Sequence, residues 1–257
     1  MAEYIAGSEE LFVQKMNEKA KELGMNDTCF KNCHGIDEED HLTSSYDIAL
    51  MSRELLTKHP DIIKYTTIWM DSLRDGKSQL VNTNKLIRTY EGITGLKTGS
   101  TSLALYNLSA SASRNDLSLI AVILRAPTPK LRFYEAKLLL DYGFTTYNYK
   151  YLANTNDFFQ NVYVEKGLKD NVNLLYENDV GVLVNKNENA DIRQEITIDE
   201  KIHAPIFKND KLGKIDYYID NNKIATVNLI AEENIEKISF SSTFKYVFNK
   251  WLNLYKI

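Results

Sequence analysis

The chain has 257 residues, 44% apolar and 26% charged, a composition of ordinary folded domains and a length that allows two of modest size. A net charge of −4 weighs against a general nucleic-acid binder, and no apolar run approaches the roughly 20 residues needed to cross a bilayer. The residues after Met1 carry neither a basic start nor an apolar leader core, which read literally means cytoplasm; the alternative is that the protein does not begin there.

Residues 2–7 read as the tail of an earlier helix. Ser8 is placed to cap a second one, with Glu9 and Glu10 in its first turn. Phe12, Met16, Ala20 and Leu23 then follow at helical spacing, and Gly24 is the expected stop. Residues 28–32 suggest a short strand. Cys29 and Cys33, the only cysteines, are spaced C-x₃-C, which suits neither a redox pair nor half a zinc site, so buried free thiols are expected. Ser44 and Asp47 resemble a capping box before a helix over 46–58, with Ile48, Met51 and Leu55 on one face and Pro60 beyond its end. His34, His41 and His59 have no Ser or Asp partner at catalytic spacing, which favours surface or structural roles.

The central stretch is Thr94-Gly95-Leu96-Lys97-Thr98-Gly99-Ser100-Thr101, followed by an apolar run, so the motif is expected at the start of a strand. A strand edge can lie beside an extended peptide. Gly99 lets a ligand backbone approach closely, Lys97 supplies a fixed positive charge, and the Thr98 hydroxyl can donate to a carboxylate. K-T-G by itself is weak, and a plain turn entering a strand accounts for three such residues equally well. Residues 103–113 and 117–125 then form a predicted hairpin, and Thr128 with Pro129 opens a helix whose buried face holds Phe133, Ala136 and Leu140 and whose end is placed at Gly143.

After about Tyr149 helical periodicity gives way to short alternating runs, at 162–164, 172–176, 180–184, 195–198, 215–219 and 224–230, separated by Asn, Asp and Lys turns. These predict a small all-β module. Phe244, Val247, Phe248, Trp251, Leu252 and Tyr255 then recur at helical spacing, with Lys245, Lys250 and Lys256 mostly opposite and no acid after Phe240. That pattern predicts an amphipathic helix lying on an anionic membrane surface rather than packing on the β module.

With these flanks, the chain resembles the low-molecular-mass penicillin-binding proteins, the serine-type D-alanyl-D-alanine carboxypeptidases. Asn32-Cys33-His34-Gly35, Ser45-Tyr46-Asp47-Ile48-Ala49, Asn82-Thr83-Asn84-Lys85-Leu86, Gly95-Leu96-Lys97-Thr98-Gly99-Ser100-Thr101 and His203-Ala204-Pro205-Ile206 stand in the order of that family's signatures. The resemblance implies an α/β fold over 1–148, a transpeptidase or β-lactamase-like domain lacking its N-terminal part. A β-rich accessory domain over 149–238 and an amphipathic membrane anchor over 239–257 would follow. It implies that Lys97 binds the substrate carboxylate and keeps the proton-relay network positive, and that Thr98 hydrogen-bonds that carboxylate. Gly99 would line the groove, and the Ser100 backbone N–H would be one oxyanion donor. Some members carry an arginine where Thr83 stands, and Arg132 matches a basic position at the helix start.

The family's S-x-x-K and S-x-N, which supply the acylated serine, its lysine base and a relay serine, do not occur before Lys97. Ser242-Thr243-Phe244-Lys245 and Ser113-Arg114-Asn115 fit those patterns but follow K-T-G and are read as decoys. The implied function is the C-terminal portion of an enzyme that trims the terminal D-alanine from peptidoglycan stem peptides through a penicillin-sensitive acyl-enzyme. The interrupted first helix agrees with such a portion. No cofactor, metal or nucleic acid is implied. The partners would be the stem peptide, β-lactams and the membrane surface, on the extracytoplasmic side. The competing reading is a non-catalytic peptidoglycan- or membrane-surface-binding protein; a β-lactamase is disfavoured by the β-rich second domain. A sheet without the strands that precede the serine is expected to leave an apolar face or edge exposed.

Overall fold

The computed structural model describes residues 1–188, 191–241, 243, 244, 248 and 251. The chain divides into two compact units, Met1–Thr146 and Tyr147–Ile257. The first unit runs α1 (Ala2–Ala6), α2 (Glu9–Glu22), α3 (Ser45–Lys58), a 3₁₀ turn at Pro60–Ile62, α4 (Ile63–Thr66), β1 (Met70–Leu73), β2 (Ser78–Val81), α5 (Leu86–Thr89), β3 (Ile93–Thr101), β4 (Leu105–Arg114), β5 (Leu117–Ala126) and α6 (Pro129–Thr146). The second holds β6 (Tyr147–Ala153), β7 (Phe158–Tyr163), β8 (Asn171–Tyr176), β9 (Val180–Asn185), β10 (Ile192–Ile198), β11 (Lys211–Ile219) and β12 (Asn222–Ala231). A mixed α/β unit followed by a β unit is the architecture expected of the sequence.

Side-chain caps start the three long helices, α2, α3 and α6. Ser8 Oγ accepts from the Leu11 N–H at 3.3 Å, Ser44 Oγ from the Asp47 N–H at 3.2 Å, and Thr128 Oγ1 from the Leu131 N–H at 3.2 Å. Gly24 follows α2 with φ +75. The expected capping box at α3 is only half made. Asp47, 2% exposed, turns away from the helix start and accepts from the Asp27 N–H at 2.9 Å and Thr28 Oγ1 at 2.6 Å. It holds the segment before α3 instead. Residues 28–32 form no strand; Cys29 makes one isolated bridge with Leu42.

Strands β3, β4 and β5 form an antiparallel sheet in that order, so β3 and β5 are its edges among the described residues. The β4–β5 turn is Asn115-Asp116, with φ 49 and 63, the two-residue turn that matches strand twist. Alternation along β4 separates two faces. Leu108, Ala110 and Ala112 are buried in one core with Ala136 and Leu140 of α6, whereas Ser109 and Ser111 face the other way, where Ser109 Oγ pairs with Ser52 Oγ of α3 at 2.8 Å. Small residues on β4 let both helices approach the sheet. Helix α6 does not stop at Gly143 but runs on to Thr146; a Cβ at Gly143 would lie 2.5 Å from Leu119 Cδ1, so that glycine sits at the helix-on-sheet contact. The outer face of α6 exposes Tyr134, Leu138 and Leu139 by about half or more.

In the second unit β10, β11, β12, β8 and β7 form one antiparallel sheet in that order, and β6 pairs with β9. Five of the six alternating runs lie wholly in strands and the sixth, 162–164, overruns β7 by one residue; β6 was not foreseen. Their inward residues, among them Val172, Leu174, Ile215, Tyr217, Val227 and Leu229, make the core. The expected amphipathic helix over 239–257 lies largely outside the described residues, as do Ser242 and Lys245 of the first decoy motif. No helix among the described residues is long and apolar enough to cross a membrane.

Candidate active site

Lys97, Thr98, Gly99 and Ser100 lie within β3, past its middle, and not at the start of a strand as the apolar run after them suggested. That run belongs to β4, and residues 102–104 turn between the two. Thr98 pairs with Leu108 and Lys97 with Ser109, so their side chains occupy opposite faces of the sheet. Thr98 is buried, whereas Lys97, Gly99 and Ser100 are exposed along the sheet's free edge.

Each motif residue has a support. The Thr98 and Thr83 hydroxyls are 2.6 Å apart, so the residue standing at the family's arginine position orients the threonine of the motif. Lys97 Nζ donates to the Thr98 carbonyl at 2.5 Å, which folds the ammonium along the strand edge. Arg132 Nη1 donates to the carbonyls of both Gly99 and Asn107 at 3.2 Å, clamping β3 to β4 at the level of the motif. Arg132 is buried, its Nε has no protein partner among the described residues, and burial pushes its pKa down. The Phe133 and Tyr106 rings lie 4.8 and 5.7 Å from the guanidinium carbon. A desolvated arginine held in this way acts as a rigid fork under the strand.

Two further supports lay outside the sequence reading. Asn84, 1% exposed, donates to the Gly95 carbonyl at 3.2 Å while its own Oδ1 accepts from the Leu86 N–H. Asp37 accepts from Thr101 Oγ1 at 2.5 Å, Ser102 Oγ at 3.2 Å and the Leu103 N–H at 3.2 Å, fixing the turn directly after Ser100. The Thr101 hydrogen bond leads the effects that hold the Asp37 carboxyl below its ordinary pKa. Thr66 Oγ1 donates to the Thr94 carbonyl at 2.6 Å, and Gly95 sits against that side chain with φ +144. Asn84 lies in one of the quoted signature stretches and Asp37 in none, and their partners stand 11 and 64 positions away, beyond any local signal.

The thiols are not buried as expected. Cys29 is half-buried, and Cys33 is exposed and donates from Sγ to Glu9 Oε1 at 3.3 Å, which raises its pKa. A loop that crosses the α2 start leaves them no core to enter. Ser113 and Asn115 form the end and turn of the β4–β5 hairpin, as the sequence indicated.

The geometry offers an exposed strand edge carrying a cation, a buried Thr98 hydroxyl oriented from behind by Thr83, and a firmly positioned turn beyond Ser100. Such an edge can accept an extended peptide and a carboxylate. Comparison with known proteins gives the family. The family model described as D-alanyl-D-alanine carboxypeptidase matches residues 1–128, and the one described as penicillin-binding protein 5, C-terminal domain, matches 147–237. D-alanyl-D-alanine carboxypeptidase DacF of Bacillus subtilis is 41% identical over 255 residues, 98% of this chain and 65% of that protein. DacC of Escherichia coli, of the same activity by name, is 32% identical over 93% of this chain and 60% of its own length. The crystal structure of penicillin-binding protein 5 from Haemophilus influenzae superposes with a TM-score of 0.65 at 29% identity, covering 92% of this chain and 69% of that one. The chain thus spans less than two thirds of these curated relatives. With K-T-G on an exposed strand edge and both family models in sequence order, the chain belongs to the D-alanyl-D-alanine carboxypeptidase family of low-molecular-mass penicillin-binding proteins.

Proposed function

We propose that this chain supplies the carboxylate-recognition half of a serine-type D-Ala-D-Ala carboxypeptidase active site. The observation that carries it is the β3 edge, where exposed Lys97 and Ser100 flank a Thr98 hydroxyl oriented by Thr83. Lys97 and Thr98 hold the terminal carboxylate of a peptidoglycan stem peptide. The Ser100 N–H donates to the oxyanion formed when a serine attacks the penultimate carbonyl. Loss of D-alanine leaves an acyl-enzyme that water cleaves, and a β-lactam stalls that step. The acylated serine and its lysine base are not among these 257 residues, so this chain alone is inactive. The site works on the extracytoplasmic face of the cell membrane, with the aromatic and lysine-rich segment after Phe240 as a surface anchor.

The test is a chimaera in which the residues of the Bacillus subtilis relative that precede the matched stretch are joined to Met1. The chimaera is expected to release D-alanine from a diacetyl-Lys-D-Ala-D-Ala tripeptide and to be labelled by fluorescent penicillin. Lys97→Ala is expected to slow acylation about a hundredfold or more. Labelling of the unextended chain, or a folded chimaera indifferent to Lys97→Ala, sinks the proposal. A second reading is a non-catalytic peptidoglycan- or membrane-surface-binding protein. An inert, folded chimaera together with retention of the chain on cell-wall sacculi would select it.

A further inference from the structure

The β unit carries a surface that the K-T-G site does not use. Strand β7 is the outer strand of the five-stranded sheet, and its core-side residues are Phe159 and Val162. Its opposite face presents Phe158, Asn161 and Tyr163, which pair with Leu175, Asn173 and Asn171 of β8. Phe158 and Tyr163 are 60% and 65% exposed. Large rings left out of a core that has room for Phe159 one position away are an expense the sheet does not need for its own packing.

From Asn161, which stands between the two rings on β7, a row of polar groups runs across the sheet through Asn173 of β8 to Glu232 after β12. Asn161 Nδ2 donates to Asn173 Oδ1 at 2.8 Å, and Asn173 Nδ2 donates to Glu232 Oε2 at 2.8 Å. The Glu232 N–H also donates to the Asn173 carbonyl at 3.0 Å, which fixes that end of the row. Each amide has further donors or acceptors beyond these bonds, and the second Glu232 carboxylate oxygen has no protein donor among the described residues. The row is therefore pre-oriented but unsaturated, and it faces solvent.

We propose that this face binds a glycan strand built of N-acetylated sugars. Amide and carboxylate groups held in line suit adjacent hydroxyl and acetamido groups, because the asparagine amides can donate and accept and the Glu232 carboxylate can accept without rearranging. The flanking rings offer flat apolar faces for the C–H side of a pyranose, and Leu175 adds an apolar spot for an acetamido methyl. At the rise of a β-strand the two rings stand roughly 15 Å apart, a span suited to a short run of sugars rather than one. A protein partner or a lipid surface fits less well. The row is neutral apart from one carboxylate, so it repels anionic lipid, and it lacks the contiguous apolar centre of a protein interface. The site rests on its own residues and does not require the carboxypeptidase reading.

The experiment uses the whole chain and peptidoglycan glycan strands from which an amidase has removed every stem peptide, so that binding through K-T-G is silent. Co-sedimentation is expected, with release by soluble N-acetylglucosamine tetramer. The double variant Asn161→Ala/Tyr163→Ala is expected to bind about tenfold more weakly with an unchanged melting temperature. Phe158→Ser provides a second, independently folded variant with a similar loss, and Leu183→Ala on β9, exposed elsewhere in the unit, is expected to bind as the parent does. Failure of peptide-free strands to retain the chain, retention that the tetramer does not compete, or equal retention of the double variant overturns the proposal, as does binding to anionic vesicles in place of glycan. Each of these outcomes leaves the Lys97→Ala test of the chimaera unaffected.

Discussion

Gly95 is the residue on which the site's backbone depends. Its φ of +144 belongs to glycine, and a Cβ built there would lie 2.7 Å from both Cβ and Oγ1 of Thr66. Gly95→Ala is therefore expected to destabilise the first unit by at least about 2 kcal/mol, since neither the backbone nor the branched Thr66 can yield cheaply. Denaturant unfolding would measure this, and a loss below about 0.5 kcal/mol would count against the clash. Gly99 differs, because among the described residues nothing beyond its own chain neighbours lies within 4 Å of where a Cβ would stand. The space there is open to whatever lies beside the strand. The two glycines look alike in the motif, and only their surroundings separate a packing glycine from one that keeps a groove clear.

At the level of elements, β11 holds an ion network that makes the β unit acid-sensitive. Asp216, buried, accepts from Lys223 Nζ and Thr226 Oγ1 at 2.6 Å, with Lys214 Nζ at 3.4 Å. The Lys223 hydrogen bond leads the causes that hold its pKa at about 2. A depressed folded pKa contributes stability that is complete above the unfolded carboxyl pKa near 4 and lost as pH falls through the folded value. Between about pH 4 and 2 the unit is expected to lose roughly 1–2 kcal/mol through this group. Asp216→Asn is expected to start less stable and to show a shallower fall in melting temperature over that window. Parallel melting curves for both proteins across it would defeat the assignment. The strands themselves were legible because alternation of Ile, Val and Tyr with Asn, Asp and Lys records a half-buried sheet. Strand β6 carries the same contrast, Tyr147, Tyr149 and Tyr151 alternating with Asn148 and Lys150, but it directly follows the end of α6 and reads there as a shift in composition. Tyr149 packs where Gly181 of β9 leaves space, a cross-strand fit that no local pattern encodes.

For the molecule as a whole, the outer face of α6 and the free edges of β3 and β5 are the features that decide behaviour in solution. Tyr134, Leu138 and Leu139 stand on one helix with about half or more of their surface open to water. Uncovered apolar faces and unpaired strand edges promote association. The chain is expected to self-associate with rising concentration in light-scattering chromatography, and Leu138→Glu/Leu139→Glu is expected to shift it towards monomer. A reversible, monomeric melt of the parent protein would refute this. Sequence by itself determined the two-part α/β and β organisation, the helix caps and the K-T-G signature, because these depend on periodicity and on residues within a few positions of one another. Tertiary structure alone decided that the motif lies past the middle of an edge strand, that Arg132, Asn84 and Asp37 hold it there, and that Gly143 is a contact and not a helix stop. Those outcomes depend on groups brought together from as far as 66 positions apart, such as Asp37 and Leu103, by burial of apolar surface elsewhere. A hydrogen bond leaves no periodic trace in the chain that makes it.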